Sequence, residues 1–236
     1  MIDRDPQSPF ELAGDAVEII LVRHGSTAHD HDEPPVGGHA DPPLSPLGRD
    51  QAQNVADVLR TLDPATTSLF VTTLQRTSQT AEPIASALGL EPTVMADLRE
   101  IHLGTFEGSA FEERRRADDP LLREVFEKER WDLIPGAESS DTFSDRVRRG
   151  LDTLAESTPA GTTAVAFVHG GVVAEICHLV TESRPFAFID VENGSMTRLV
   201  HGPDRDYTLR SFNDTSHLRS AIRTTGPPSP QVVAAG

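Results

Sequence analysis

The chain contains 236 residues, carries a formal net charge of −16 at pH 7 and has a single cysteine, Cys177. A surface this acidic repels phosphate backbones and anionic headgroups, so neither a nucleic acid nor a membrane is expected as a partner. One cysteine cannot form an internal disulfide, which fits a reducing compartment. The first residues lack the basic and apolar regions of a signal peptide, so the expected location is the cytoplasm.

Apolar runs and helix signals alternate along the chain. Strands are predicted at 17–22, 68–72, 92–96, 164–168, 196–200 and 207–212. Helices are predicted from Ser45-Pro46 to about residue 60, at 74–88, across 109–131 with an interruption at Pro120, at 142–156 and at 171–180. This alternation predicts an α/β fold, a three-layer α/β/α sandwich with a mainly parallel sheet. Functional sites of such sheets lie beyond the carboxyl ends of the strands.

The two ends of the chain differ in composition from the middle. Residues 1–15 and 223–236 are polar or rich in proline and small residues, and both are predicted to be disordered tails. Residues 16–222 are then one domain, in which 105–138 form a charged helical insertion over the site. The sequence leaves the oligomeric state open, a homodimer included.

Two histidines follow predicted buried strands. His24 follows Arg23 at the end of the first strand, and His169 follows the strand at 164–168. A glycine comes next in each case, where the backbone can turn tightly or approach a ligand closely. Because parallel strands end at one edge of a sheet, the two histidines are expected to meet there. The alternative is a pair of unrelated loop histidines.

Two further charged residues are predicted to reach the same edge. Arg76 lies in the first turn of a helix, whose N-terminus is already positive. Such an arginine is explained if an external anion binds beside it. Glu100 opens the glycine-containing loop after the third strand. The alternatives are an exposed arginine without a partner and a solvated loop carboxylate.

Five segments together resemble the motifs of one family. They read L-V-R-H-G-S-T, G-G-H-A-D-P-P-L-S-P-L-G-R-D-Q-A, L-Q-R-T-S-Q-T-A, L-R-E-I-H-L-G-T-F-E-G and V-H-G-G-V. In this order they are similar to the motifs of the histidine phosphatase superfamily, which has the fold of cofactor-dependent phosphoglycerate mutase. The R-H-G motif alone is a weak signal, but five ordered segments between about residues 17 and 212 are a strong one.

The resemblance implies a role for each site residue. His24 is the implied nucleophile that takes the phosphoryl group, and Glu100 is the implied proton donor. The implied substrate-binding residues are Arg23, His24, Thr27, Arg76, His169 and Gly170. Arg23, Arg76 and His169 would hold the phosphate oxygens and, with His24 and Glu100, make up the implied catalytic set. Arginine and histidine can neutralise a phosphoryl group without a metal, so neither a metal nor a cofactor is expected.

Some features allow two interpretations. The first loop holds His29, His31 and His39 beside aspartates, as a metal site could, but their spacing favours a loop that rims the pocket. The run 114–116 is either a second phosphate contact or, as its acidic neighbours favour, a solvated helix face. Phe106 and Trp131 either line the entrance or, as is more usual for aromatic residues, pack inside.

A rival phosphatase motif occurs late in the chain. Asp204-Arg205-Asp206-Tyr207-Thr208 matches D-x-D-x-T, the nucleophile motif of magnesium phosphatases of the haloacid dehalogenase type. That motif should follow a buried strand near the N-terminus. Here it follows His201-Gly202-Pro203, which favours a hairpin turn and a chance match.

The sequence therefore predicts a metal-independent phosphatase that hydrolyses a small phosphorylated metabolite. The first alternative is a phosphomutase of the same fold. The family's mutases usually carry tryptophan and asparagine soon after the signature, where this chain has Ala28-His29-Asp30. The second alternative is a non-catalytic binding module that has kept the fold.

Overall fold

The structure is a computed structural model that describes residue 12 and residues 14–28, 38–202, 204 and 206–218. The predicted C-terminal tail lies outside the described residues, as does most of the predicted N-terminal tail. His29 and His31 of the first loop also lie outside them. The domain boundaries given above therefore stay predictions.

A mixed sheet forms the centre of the described chain. Its six strands are β1 (Val17–Arg23), β2 (Thr67–Val71), β3 (Thr93–Val94), β4 (Thr163–Val168), β5 (Met196–His201) and β6 (Tyr207–Asp214). Their spatial order is β3-β2-β4-β1-β5-β6. The strands β1 to β4 are mutually parallel, and β5 is antiparallel to both of its neighbours. The predicted mainly parallel sheet is confirmed.

Helices cover both faces of the sheet. Within the described ranges they are α1 (Pro46–Leu59), α2 (Gln75–Leu88), α3 (Ser109–Arg116), α4 (Pro120–Lys128), α5 (Ser140–Ser157) and α6 (Gly170–Thr181). The predicted interruption at Pro120 separates α3 from α4, because proline at the first helical position begins a new helix and Asp119 caps it. Each helix of the described chain is too short or too polar to span a lipid bilayer.

Alternate residues of β1 face opposite layers. Ile19 and Leu21 pack with apolar residues of α5 and α6, whereas Ile20 and Val22 pack with those of α1 and α2. All four side chains are fully buried. A strand covered on both faces needs a continuous apolar run, which is what residues 19–22 supply. The three-layer α/β/α architecture is therefore confirmed.

The sheet and α1 fix the loop that follows β1. The backbone N–H of His24 donates to the carbonyl of Val168 at 3.0 Å, which joins the ends of β1 and β4. On the other side, the N–H of Ser45 donates to the carbonyl of Ser26 at 2.9 Å. A Cβ atom on Gly48 of α1 would overlap that same carbonyl oxygen. The loop therefore lies between the sheet and the first turn of α1.

We predict that Gly48→Ala destabilises the protein, because the added methyl group forces α1 and the loop after β1 apart. The free energy of unfolding should fall by about 1–3 kcal/mol, the usual range for overpacking. Chemical denaturation measures it. Gly14→Ala is the matched control, since a Cβ there meets nothing within 4 Å. Equal stability of the two variants would contradict the close approach.

Candidate active site

The His24 ring is held in one orientation at the end of β1. Its Nδ1 lies 2.8 Å from the carbonyl oxygen of Gly25, and its Nε2 lies 3.2 Å from Nε of Arg76. A carbonyl can only accept and a guanidinium can only donate. The hydrogen therefore sits on Nδ1, and the lone pair of Nε2 is directed toward Arg76.

The environment keeps this ring neutral. Burial lowers the pKa of His24 well below its usual value, and the nearby charges of Arg76 and Arg23 lower it further. The side chain is nearly inaccessible, with 7% of the residue exposed. A neutral imidazole with an unprotonated Nε2 is a competent nucleophile once Arg76 releases that nitrogen, which an imidazolium is not.

Arg23 lies beside His24, and one nitrogen of its guanidinium group lacks a hydrogen-bond partner among the described residues. One terminal nitrogen donates to the carbonyl of Val191, whereas the buried Nε has no hydrogen-bond partner within the described chain. Burial lowers the pKa of Arg23, and the charge of Glu100 opposes that shift. A Cβ on Gly170 would stand 3.2 Å from Nε, so glycine leaves room for this group. The unpaired donor is what an incoming anion would meet.

Arg76 lies in the first turn of α2, as predicted, but its helix end already has an anion. The carboxylate of Asp41 accepts from the N–H of Gln75 at 3.0 Å and lies 3.5 Å from Nη1 of Arg76. Sequence reasoning did not assign this role to Asp41, because the residue lies 35 positions away in a loop. The alternative of an exposed arginine without a partner is therefore wrong, whereas the external anion stays a prediction. Burial is the main reason that the pKa of Arg76 is lowered.

Glu100 is anchored where α6 begins. Its Oε2 accepts from the N–H of Gly171 at 3.2 Å, and its Oε1 accepts from the N–H of Ile101 at 3.0 Å. A Cβ on Gly171 would stand 2.5 Å from Oε1, so only glycine fits beside this carboxylate. The helix N-terminus favours a negative charge at this position.

His169 lies behind the His24 ring. Their ring centroids are 5.2 Å apart in an edge-on arrangement. Nε2 of His169 lies 2.9 Å from Oγ1 of Thr72, and its buried Nδ1 has no partner among the described residues. Burial, followed by the charge of Arg76, lowers the pKa of His169 well below its usual value. Asn193, which sequence reasoning missed, donates to the carbonyl of His24 at 2.9 Å.

These groups meet at a cavity of about 450 Å³. The predicted residues that line it are Arg23, His24, Thr27, Arg76 and Glu100. His169 is fully buried behind it and Gly170 lies beside Arg23, so neither is part of its wall. The cavity thus brings two cations, one neutral imidazole and one carboxylate together at the predicted edge of the sheet.

The outer wall comes from the first loop, from Glu107 and from α3. His39, Glu107, Glu112, Glu113 and Arg116 line it. Arg114 and Arg115 instead form exposed ion pairs with Asp119 and Glu112, as the solvated-face interpretation predicts. Arg116 is exposed as well, and it also lines the outer part of the cavity. Among the described residues, no group of histidine, cysteine or acidic side chains is arranged to hold a metal ion.

The remaining candidates lie away from the cavity. Phe106 and Trp131 are buried in the core between the sheet and α5, so the packing interpretation is confirmed. Asp204 and Asp206 are exposed in the turn between β5 and β6, where the N–H of Gly202 donates to the carbonyl of Asp206 at 3.0 Å. The hairpin interpretation of the D-x-D-x-T match is therefore confirmed.

Comparison with known proteins agrees with this geometry. A family model described as the histidine phosphatase superfamily (branch 1) matches residues 19–215. Phosphoglycerate mutase-like protein 4 of Arabidopsis thaliana is 34% identical over 86% of this chain and 88% of its own. A probable phosphoglycerate mutase, GpmB, of Salmonella paratyphi C is 32% identical over 86% and 95%. The structure of a mycobacterial glucosyl-3-phosphoglycerate phosphatase is 25% identical, with a TM-score of 0.69 over 85% and 100%.

The chain belongs to the histidine phosphatase superfamily. Its relatives and structural neighbours carry the names of both mutases and phosphatases, so membership supports an enzyme of the phosphatase or mutase type.

We predict that acid destabilises the protein through its buried histidines. In the unfolded chain both histidines are protonated below about pH 6.5. In the folded protein His24 and His169 stay neutral there, because their pKa values are lowered. The free energy of unfolding should therefore fall as the pH drops below about 6.5, by up to about 1.4 kcal/mol per pH unit for each histidine. The free energy of unfolding should depend less steeply on pH in His24→Asn, which lacks one of the two histidines.

NMR titration of ¹⁵N-labelled histidine checks the cause. The His24 ring should keep its Nδ1–H form from neutral pH to well below the usual histidine midpoint. A His24 midpoint near 6.5 would contradict the account.

Proposed function

We propose that the protein is a metal-independent phosphatase that hydrolyses a small phosphomonoester through a phosphohistidine on His24. The observation that carries the proposal is the neutral His24 ring, whose Nε2 lone pair lies beside the guanidinium of Arg76 in a cavity that Arg23 also lines. Phosphoryl transfer depends on positioning and on neutralising the equatorial oxygens, and this arrangement offers both.

The first step transfers the phosphoryl group to His24. The Nε2 lone pair attacks phosphorus, and the bond to the ester oxygen breaks. Glu100, which takes up a proton when the phosphate binds because that added negative charge favours its neutral form, gives the proton to the departing oxygen. Arg76 exchanges its contact with Nε2 for one with a phosphate oxygen. Arg23 contributes its unpaired Nε–H to another oxygen.

The second step returns the enzyme to its starting state. The Glu100 carboxylate takes a proton from water, and the resulting hydroxide attacks phosphorus. The P–N bond breaks, its electron pair returns to Nε2, and inorganic phosphate leaves. Glu100 ends protonated and returns to the carboxylate when the phosphate has left.

The mutase alternative is supported by the names of several relatives. A bisphosphate-dependent mutase must hold a second strongly anionic group. Beyond Arg23 and Arg76, the described cavity wall has the cation Arg116 but three glutamates, Glu107, Glu112 and Glu113. Even with Glu112 paired to Arg115, this wall offers little attraction to a second phosphate. The charge of the wall therefore favours hydrolysis of a monoester.

We predict that His24→Ala loses about 10³-fold or more of the phosphatase activity, because the covalent route disappears. Activity is measured as inorganic phosphate released from a panel of phosphomonoesters, with His178→Ala on α6 as the control. EDTA should leave the rate unchanged. Rapid formation of 2-phosphoglycerate from 3-phosphoglycerate, dependent on 2,3-bisphosphoglycerate, would instead identify a mutase.

We predict that Glu100→Gln slows alkyl phosphates far more than p-nitrophenyl phosphate, since an alkoxide needs the proton and a nitrophenolate does not. General acid catalysis contributes about 10²–10⁴-fold, which is the loss expected for the alkyl ester. With nitrophenyl phosphate, a burst of nitrophenol followed by a slow steady state should report accumulated phosphoenzyme.

Two controls accompany this experiment. The double variant His24→Ala/Glu100→Gln should show no burst. Glu107→Gln tests a carboxylate of the outer wall, which accepts from the N–H groups of Leu103 and Ala40. This variant should not discriminate between the substrates. Equal slowing of both substrates by Glu100→Gln, without a burst, would overturn the role of Glu100 as the acid.

A further inference from the structure

The segment that carries Glu100 is held by a side chain from another element. Residues 97–100 lead from β3 toward α3 without joining the sheet. Arg146 of α5 donates to three of their carbonyl groups, to Asp97 at 2.9 Å, to Arg99 at 2.5 Å and to Glu100 at 2.9 Å. Arg146 thus supplies the hydrogen bonds that a strand partner would supply elsewhere.

Arg146 is itself held rigidly. Its Nε and Nη2 donate to the two oxygens of Glu138 at 2.7 and 2.8 Å, a bidentate pair. The guanidinium also stacks over the ring of Phe143 at 4.7 Å. The residue is 8% exposed. A buried guanidinium with five hydrogen bonds has one geometry, because any shift breaks several of them at once.

Glu100 is consequently fixed at both ends. Its carbonyl oxygen receives Nη2 of Arg146 and also lies 3.0 Å from Nε2 of His39. Its carboxylate is held at the N-terminus of α6, as described above. The contacts of the carbonyl group fix the position of the Glu100 backbone, and the contact with α6 fixes the position of its carboxylate.

We propose that Arg146, fixed by Glu138, is a positioning residue for Glu100 and determines where the proton-donating carboxylate stands relative to the leaving oxygen. This inference rests on the proposed function. Arg146 is not part of the cavity wall, so it acts without touching the substrate. Proton transfer demands a donor within hydrogen-bond reach, and a misplacement of about 1 Å can cost about 10²-fold in rate.

A positioning role and a purely structural role predict different kinetics. If Arg146 only stabilised the fold, its loss would lower the amount of active enzyme and affect all substrates equally. If it positions Glu100, its loss harms the substrate whose leaving group needs a proton and spares the one that does not. The ratio of kcat/KM for an alkyl phosphate to that for p-nitrophenyl phosphate therefore separates the two roles.

The test uses the double variant Arg146→Met/Glu138→Gln, which removes both charges and leaves neither buried alone. The kcat/KM for ethyl phosphate should fall about 10–100-fold, whereas that for p-nitrophenyl phosphate should change less than about 3-fold. The matched control is Arg198→Met/Glu18→Gln, which removes an ion pair of 2.7 Å between β5 and β1. The control should leave the ratio of the two values unchanged.

Arg146→Lys is the second variant, because it keeps the charge and the fold while losing the bidentate fork. It should show a smaller loss that is again confined to ethyl phosphate. An equal loss for both substrates, or no loss, in either folded variant would overturn the positioning role. Glu100→Gln is measured in parallel: if it discriminates and the Arg146 variants do not, only this inference fails. If Glu100→Gln does not discriminate, the proposed role of Glu100 fails as well.

Discussion

The hydrogen bond between Nδ1 of His24 and the carbonyl of Gly25 determines what the rest of the site can do. It places the hydrogen of the imidazole on Nδ1 and leaves Nε2 with a lone pair beside Arg76. The bond requires the loop after β1 to keep its shape. That shape depends on the close approach of Gly48 and on the link between the ends of β1 and β4. Packing of α1 against the loop is thus connected to the nucleophilicity of one nitrogen atom.

Two guanidiniums in one buried site are costly without an anion. Asp41 and Glu100 offset part of that cost, one beside Arg76 and the other near both arginines. Nε of Arg23 is left without a partner among the described residues. A phosphate that enters such a site meets two guanidinium groups already held in place, and Arg76 needs only to exchange its contact with Nε2 of His24. The same two positive charges, together with burial, keep His24 neutral.

Much of this arrangement could be predicted from the sequence. Buried strands followed by His-Gly place His24 and His169 at one edge, since parallel strands share that edge. The contacts that could not be predicted join residues far apart in the chain through loops. Asp41 caps a helix 34 residues later, and Arg146 binds carbonyls that lie 46–49 residues earlier. No local pattern marks such pairs, because their meeting depends on how irregular segments cross in space.

The most direct test of the account asks which nitrogen of which residue carries the phosphoryl group. Glu100→Gln labelled with ¹⁵N-histidine would be loaded from p-nitrophenyl phosphate and denatured in alkali, in which a phosphoramidate survives. The bond from phosphorus to nitrogen would then be read by ³¹P–¹⁵N coupling, with peptide mapping to locate the residue. The account predicts phosphorus on Nε2 of His24. Phosphorus on Nδ1, or on any other residue, would contradict it.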